Sequence, residues 1–555
     1  MKLKLIYFLL AGMLCSSCQD MLEENPASYY QKKDFFVTSE KAELAVMGIY
    51  NVLPTLYGEK DGMALPCSDD TYYVNGTSSD NTRRDIAHYI LKPSNTWVYS
   101  VWEGKYKCVN RANYAIAGIE SMEDYRTNDK LKQLAGEAKF LRAQAAFDLV
   151  RYWGDVPFKT EYTDGYEASY LPRMDREKIY DQIIEDLDFA KSNMLWATTG
   201  SSPERATQGT ARALLMRVLL TRAGYSLQSD GTLQRPSETL RRSYFEGVVA
   251  EWEEFQKNGY HKFYTGGYEE LFKGFSAGVL STEESLLEVA FLVNKNKGLW
   301  GTCMGPLVAT PQIKPSEAGK FMGRANAMFR VVPEWRDFFE ENDVRRDVMV
   351  CTHSYSWDAK AYNHKLVEQK NRKNWYPGKW RREWMPVGYA DPNQTNVNYC
   401  MLRYADVVLM AAEAYNELGE TSKAWELLNS VRDRAGATKI TPENYSKLLK
   451  SPKVYNLDFI NDSDESGRFR TALYWERGFE LAFEGQRKYD LIRWGILKEA
   501  LVLFGENTST QVNSATSVAY PAGKNFQKGK HELLPIPEDE LQINYELKNK
   551  NNPGY

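Results

Sequence analysis

Three glutamates spaced four residues apart are the side chains whose type and spacing could do chemistry in this chain: Glu476, Glu480 and Glu484. Pairs of carboxylates carry out glycoside hydrolysis, where they flank the scissile bond. Four-residue spacing instead places side chains in a row on one face of a helix. Three arginines lie at spacings that allow charge pairing along or across that helix: Arg477, Arg487 and Arg493. We therefore interpret the glutamates as a helix-stabilising array of charges.

Other catalytic patterns are absent or match by chance. Gly274–Gly278 has the glycine-x-serine-x-glycine pattern of a nucleophile elbow, but an elbow follows a buried strand, and Glu269–Lys273 is a poor strand. The five histidines have no metal-ligand spacing, and no phosphate-binding or dinucleotide-binding glycine motif occurs. The sequence therefore predicts no catalysis, no metal and no cofactor. A surface glycosidase remains the enzyme alternative.

The N-terminal residues have the pattern of a secretory signal. The apolar run Leu5–Leu14 follows two lysines, and ten apolar residues are too few for a bilayer core that needs about 20. Bacterial lipoprotein signals are cut after small residues and before a cysteine, and Ser16 and Ser17 precede Cys18. We expect residues 1–17 to be a signal peptide and Cys18 to be lipidated. Cys15 and Cys18 also have the spacing of a thioredoxin-like redox motif, but the βαβ pattern that such a motif accompanies is absent from the sequence around them.

Composition excludes some partners and leaves others open. Loss of residues 1–17 removes two lysines and no acid, which moves the formal charge from −4 to −6. This balance predicts no nucleic-acid partner. Five widely spaced cysteines remain after Cys18, so a disulfide scaffold is not indicated, although one bridge is possible. The 14 Trp and 36 Tyr suit the faces of sugars and peptides, but aromatic rings also fill large cores.

Helical periodicity predicts the scaffold. Apolar residues recur at three- and four-residue steps in paired segments, which lie near residues 129–194, 207–258, 403–435 and 470–504. The third pair matches the tetratricopeptide pattern at the positions where small or packing side chains let two helices approach closely. The matching residues are Ala412, Tyr415, Ala424 and Val431. We predict a mainly α fold in which about four tetratricopeptide-like helical pairs stack on one another.

Two long insertions, residues 54–106 and 261–400, differ from these pairs. They are rich in Gly, Pro, Asn, Tyr and Trp, and the second has β-like runs at Ser285–Val293 and Val344–Cys351. The alternating run Trp375–Trp384 predicts another strand, with Trp380 and Trp384 on one face. Loops of this kind usually carry binding sites.

Several segments then make the chain recognisable. It resembles the SusD/RagB outer-membrane lipoproteins of Bacteroidetes over essentially its whole length, and residues 18–555 would form one SusD-like domain. Acidic residues after Cys18 also resemble the start of these proteins, where they accompany surface display. The segments that carry the resemblance are Glu137–Phe147, Trp153–Phe158, Leu402–Ala414, Glu476–Asp490, Leu534–Pro537 and Asn552–Tyr555.

The resemblance implies a non-catalytic protein with a tetratricopeptide scaffold and a loop-rich ligand face. Such proteins are lipid-anchored in the outer membrane, face the cell surface and act as a lid over a SusC-like TonB-dependent transporter. They capture an oligosaccharide, or in some members a peptide, and deliver it to that transporter. An oligosaccharide ligand and the alternative, a peptide or glycoprotein-derived ligand, both stay open here, because the matching motifs belong to the scaffold.

Candidate ligand residues lie in the two insertions. In starch-binding relatives an Asp, an Arg and a following Trp contact sugar, and Asp70, Arg83 and Trp97 occur here in similar order. A stacking ring beside charged groups suits a sugar, which has apolar faces and hydroxyl edges. The second insertion offers Trp300, Trp357 and Trp380. The alternative for each tryptophan is packing in the core.

Overall fold

The computed structural model describes residues 35–74, 78–165, 167–292, 295–296, 298–387, 393–448, 460–507 and 521–555. The predicted signal peptide and Cys18 lie outside the described residues. Within these ranges, no helix combines the length and the hydropathy that crossing a membrane requires.

Long helices dominate the described chain, which confirms the predicted mainly α fold. They are α1 Ser39–Tyr50, α2 Thr96–Glu120, α3 Asp129–Trp153, α4 Arg176–Asn193, α5 Gln208–Ala223, α6 Glu238–Asn258, α7 Tyr268–Ala277, α8 Tyr404–Glu417, α9 Thr421–Arg434, α10 Glu465–Leu481, α11 Arg487–Arg493 and α12 Leu497–Asn507. Short helical segments occur at Leu53–Leu56, Glu59–Ala64, Arg83–Ala87, Glu167–Ser169, Pro315–Lys320, Trp335–Phe338, Arg345–Met349, Arg372–Asn374, Arg382–Trp384, Tyr445–Leu448, Ala522–Asn525, Glu538–Ile543 and Tyr545–Leu547.

Side-chain caps start the scaffold helices where the sequence supplies a suitable residue. Asn128 accepts hydrogen bonds from the first turn of α3, Asp175 caps α4, Thr207 caps α5 and Ser237 caps α6. Each cap satisfies a backbone N–H that the helix leaves without a partner. The helices then pack in series, α2 on α3, α3 on α4, α4 on α5 and α5 on α6. The array continues through α8 to α9 and α10, as in a helical solenoid.

Strands are short and occur in antiparallel pairs. Thr71–Tyr73 (β1) pairs with Phe329–Val331 (β5), and Ser285–Val289 (β4) pairs with Tyr399–Arg403 (β10). The remaining strands in the described residues are β2 Ser226–Leu227, β3 Leu233–Gln234, β6 Val350–Cys351, β7 His353–Asp358, β8 Asn363–Glu368 and β9 Tyr376–Pro377. β2 pairs with β3, β6 with β9 and β7 with β8. The β1 and β5 pair joins the two insertions.

Several local predictions are wrong. Val344–Cys351 is a strand only over Val350–Cys351, whereas Arg345–Met349 is helical, and the Asp343 carboxylate accepts the Arg345 N–H at 3.0 Å where that turn starts. Only Tyr376–Pro377 of the run Trp375–Trp384 is a strand, since the chain bends at residues 379–380, directly after Gly378, where a side chain would collide with the Val348 carbonyl. Trp380 and Trp384 therefore do not share a strand face.

Two further differences concern helix ends and cysteines. The predicted partner helix 486–504 divides into α11 and α12, because Gly495 has a φ of +75° that ends the first helix. Helix α2 begins at Thr96, inside the segment predicted as a loop. The described cysteines are all buried and unpaired, so the disulfide that the sequence allowed does not form among them.

The glutamate array is structural, but its partners differ from the predicted arginines. Glu480 is fully buried, and its carboxylate contacts Arg345 at 3.2 Å, Arg403 at 2.6 Å and also Arg434. Burial raises the pKa of Glu480, and the three guanidinium charges more than reverse that effect and lower it below its usual value. Glu480 is therefore ionised in the folded protein.

Its neighbours extend the same network. Glu476 pairs with Arg432 at 2.9 Å and with Arg345, and Glu484 pairs with Arg403 at 2.6 Å. Glu484 also binds Lys379 of the second insertion, although it lies beyond the end of α10 and not on a helix face. The arginines that the sequence suggested pair elsewhere: Arg477 with Asp406 and Asp490, Arg487 with Asp69, and Arg493 with Glu413 and Asp490.

The charge network predicts a large cost for removing one carboxylate. Glu480→Gln should lower the free energy of unfolding by about 3–5 kcal/mol, because it removes the carboxylate that three buried guanidinium groups share and leaves their charge only partly balanced. The matched control is Glu246→Gln, which breaks an exposed pair with Arg242 inside α6 and should cost less than about 1 kcal/mol. Urea unfolding of both variants measures the difference. Equal costs would contradict the structural role of the network.

Candidate functional site

Two of the predicted ligand residues lie in the core. Trp300 is 0% exposed and stacks on Tyr399 with ring centroids 4.8 Å apart, while its indole N–H donates to the Tyr57 carbonyl at 3.2 Å. Trp380 is 1% exposed and lies 4.6 Å from the Trp300 ring. The prediction that these rings face a ligand is wrong, because neighbouring aromatic side chains cover them.

Asp70 is also buried and holds the loop in place. Its carboxylate accepts the backbone N–H of Phe483 at 3.1 Å and the hydroxyls of Ser68 and Thr71 at 3.1 and 3.0 Å. Burial raises its pKa, and the neighbouring Asp69 adds to the effect. A 2% exposed carboxylate with these partners is not available to a ligand. Asp70 positions the strand β1 that follows it.

Arg83 and Trp97 are brought together, as their order suggested. The guanidinium carbon of Arg83 lies 5.2 Å from the centroid of the Trp97 ring and 5.8 Å from that of Tyr73, within the range of cation–π contacts. Arg83 also forms an ion pair with Glu59, and both side chains are partly shielded. Burial raises the pKa of Glu59, while the Arg83 charge opposes this rise. Trp97 remains partly exposed.

Local structure explains why the ring and the guanidinium meet. Asn95 caps α2 by accepting the N–H groups of Trp97 and Val98 at 3.0 and 3.1 Å, and its amide donates to the Thr82 carbonyl at 3.0 Å. The cap thus joins the first turn of α2 to the segment that carries Arg83. Asn95 is itself fully buried, so its part is positioning.

Trp357 belongs to a separate cluster. It lies on β7 of the β7–β8 hairpin, and its ring contacts Phe321, Tyr362 and His364 with centroids 5.3, 5.5 and 5.1 Å away. The ring is partly exposed. None of these three ring partners of Trp357 belongs to the cluster around Arg83 and Trp97.

The described residues offer no catalytic arrangement at the motifs that the sequence raised. The Gly274–Gly278 pattern lies at the end of α7, where Ser276 is buried in helix and does not follow a strand. The three glutamates of the charge network are buried and paired with cations. No group of three His, Cys, Asp or Glu side chains within the described ranges could hold a metal ion.

The sequence missed two members of the cluster around Arg83. Glu59 lies on the short helical segment Glu59–Ala64, and Tyr73 ends β1. Neither belongs to a motif, and each reaches Arg83 only because the chain folds back between residues 59 and 97. No sequence signal singles out Glu59, because several other acidic residues lie closer to Arg83 along the chain.

Comparison with known proteins identifies the family. The SusD family profile matches residues 331–555, and a profile described as starch-binding associating with outer membrane matches residues 20–220. The chain belongs to the SusD family. This confirms the resemblance inferred from the scaffold motifs. Over 568 residues the chain is 26% identical to SusD-like protein P2 of Formosa agariphila, and the match covers 100% of both proteins.

Solved structures of SusD proteins share the fold. A SusD homolog from Bacteroides thetaiotaomicron superposes with a TM-score of 0.77 at 24% identity, covering 94% of this chain and 98% of that one. A laminarin-binding SusD-like protein gives a TM-score of 0.65 at 24% identity and covers 94% and 100%. At these identities the likeness establishes the helical architecture and leaves the ligand to be inferred from the site.

Proposed function

We propose that this SusD-family protein is a non-catalytic glycan-binding lipoprotein of the cell surface, which captures oligosaccharide through Trp97 and Arg83. One observation carries the proposal: in the first insertion, a partly exposed indole lies beside a guanidinium that a carboxylate holds in place. The matching profile described as starch-binding and the laminarin-binding protein of similar fold support the ligand class.

The chemistry of the cluster suits a sugar. The exposed part of the Trp97 ring offers an apolar surface for the C–H face of a pyranose, and the fixed Arg83 fork donates hydrogen bonds to hydroxyl oxygens. The ion pair with Glu59 and the Asn95 cap hold both groups before the ligand arrives. Less conformational entropy is then lost on binding, which favours affinity.

A peptide is the second candidate ligand. The same guanidinium would pair with a carboxylate, and the same indole would contact an apolar side chain. No described residue near Arg83 distinguishes these ligands by geometry alone. Trp357 in its separate hairpin stays a proposed additional contact, since its ring is partly exposed.

A tryptophan variant tests glycan capture. On an array of glycans and peptides, the soluble protein from residue 18 should bind glycans, and Trp97→Ala should weaken the strongest hit by about 2 kcal/mol, roughly thirtyfold. Arg83→Lys should also weaken it, because lysine lacks the planar fork. Calorimetric titration measures each affinity, and thermal melting checks that the fold persists.

Two controls make this result specific. Trp196 is also partly exposed and has the Arg212 guanidinium 5.6 Å from its ring, but it lies outside both insertions, so Trp196→Ala should bind like the parent. Trp300→Ala should instead melt early, since the ring is core. Unchanged affinity in Trp97→Ala, or hits confined to peptides, would contradict glycan capture at this cluster.

We further propose that Cys18 is lipidated and that the protein delivers its ligand to a SusC-like TonB-dependent transporter. In a Bacteroidetes host, tagged protein should copurify with such a transporter from outer membranes. Cys18→Ala should move the protein to the soluble fraction when the transporter is deleted, because the acyl chains supply the remaining membrane affinity. Continued membrane association of that variant would disprove the anchor, and absence of a transporter among copurified proteins would disprove the partner.

A further inference from the structure

A cavity lies on the side of α2 opposite Trp97 and belongs to neither insertion alone. It has a volume of about 500 Å³, within the range of about 300–1,000 Å³ that small-molecule sites occupy. One wall is α2, the second is formed by residues within 157–163 and 169–171, and the third is the helical segment Glu538–Ile543 with Asn544. The cavity is therefore built from three parts of the chain that are distant in sequence.

This cavity is distinct from the Trp97 cluster. Trp97 does not line it, whereas Tyr106, nine residues later on the same helix, does. Nine residues make two and a half helical turns, so the two rings point to opposite sides of α2 and lie about 13 Å apart along its axis. Occupation of one site leaves the other open.

Hydrogen bonds between the walls hold the cavity open. The Tyr106 hydroxyl donates to the Pro157 carbonyl at 2.7 Å, and the Asn113 amide donates to the carbonyls of Lys159 and Glu161 at 3.1 and 3.0 Å. Across the cavity, the Asn544 amide donates to the Leu171 carbonyl at 3.0 Å. Backbone carbonyls of the second wall thus join it to each of the other two walls, and the site is formed in advance of any ligand.

The lining combines aromatic rings with hydrogen-bonding groups. Trp102, Tyr106, Phe158 and Tyr170 contribute rings, of which those of Tyr106 and Tyr170 are partly exposed. The Asn110 side-chain oxygen accepts the Thr163 N–H at 2.6 Å, which leaves its amide N–H₂ as a donor at the wall. Rings for apolar faces and amides for hydroxyls are the groups that a sugar requires.

The charge of the cavity lining indicates whether the ligand is neutral or ionic. Two acidic side chains, Glu103 and Glu540, and two basic ones, Lys107 and Lys159, line the cavity, so their formal charges cancel. Burial raises the pKa of Glu540, while a hydrogen bond with the Trp102 side chain opposes that rise. A net charge of zero with both signs present favours a neutral polyhydroxylated ligand over an anion or a cation.

We propose that this cavity is a second carbohydrate site, which binds a short neutral oligosaccharide between Tyr106 and Tyr170. This goes beyond the proposed capture at Trp97, since it assigns a separate site on the opposite side of α2. Two sites on one rigid helix would let the protein hold a longer glycan at two points and so raise its overall affinity.

Isoleucine methyl NMR tests the cavity locally. Ile543 lines it and is 61% exposed, and its methyl signal is assigned with Ile543→Val. Maltoheptaose and laminarihexaose, titrated to millimolar concentration into the soluble protein from residue 18, are the probes. At least one should shift the Ile543 signal in the parent and in Trp97→Ala, and the shift should disappear in Tyr170→Ala, which removes one ring of the site.

A second tyrosine provides the matched control. Tyr162 lies on the same segment, and its ring packs on Tyr114 at 5.6 Å much as Tyr170 packs on Tyr545 at 5.5 Å, but Tyr162 does not line the cavity. Tyr162→Ala should respond like the parent. A static Ile543 signal with both glucans, or an undiminished shift in Tyr170→Ala, overturns the proposal. Calorimetric loss of binding in Trp97→Ala beside a static Ile543 signal would leave capture at Trp97 standing.

Discussion

The Glu480 carboxylate, fully buried among three guanidinium groups, is the interaction on which the rest of this structure depends. Its partners come from separate parts of the chain: Arg345 from the second insertion, Arg403 from the end of β10, and Arg434 from α9. Arg403 and Arg434 also share Glu284, which precedes β4. Because each ion would be costly to bury alone, these segments must assemble together around α10.

The residues that follow α10 also position the first insertion. Asp69 forms an ion pair with Arg487 at 2.8 Å, and Asp70 accepts the Phe483 N–H at 3.1 Å. Strand β1 begins directly after these residues and ends at Tyr73, beside Arg83. Buried charges of the scaffold thus fix the strand against which the partly exposed Arg83 and Trp97 are arranged.

Sequence periodicity predicted the helical pairs because each depends on local spacing and on nearby caps such as Asn128 and Thr207. It failed where distant residues decide the structure. Arg345 lies in a helical turn that places it against Glu476, 131 residues later. No sequence pattern within residues 344–351 indicates that partner. Tryptophans show the same limit: Trp300 is covered by Tyr399, whereas Trp97 stays partly exposed beside Arg83. Residue type is identical in both, so only the fold separates a core ring from a surface ring.

The crystal structure of the complex with the glycan that binds most strongly on the array tests glycan capture most directly. A pyranose ring should lie against the Trp97 indole, with sugar hydroxyls within hydrogen-bonding distance of the Arg83 guanidinium and the helices unmoved. Glycan density found only elsewhere, with Trp97 and Arg83 facing solvent, would contradict capture at this cluster.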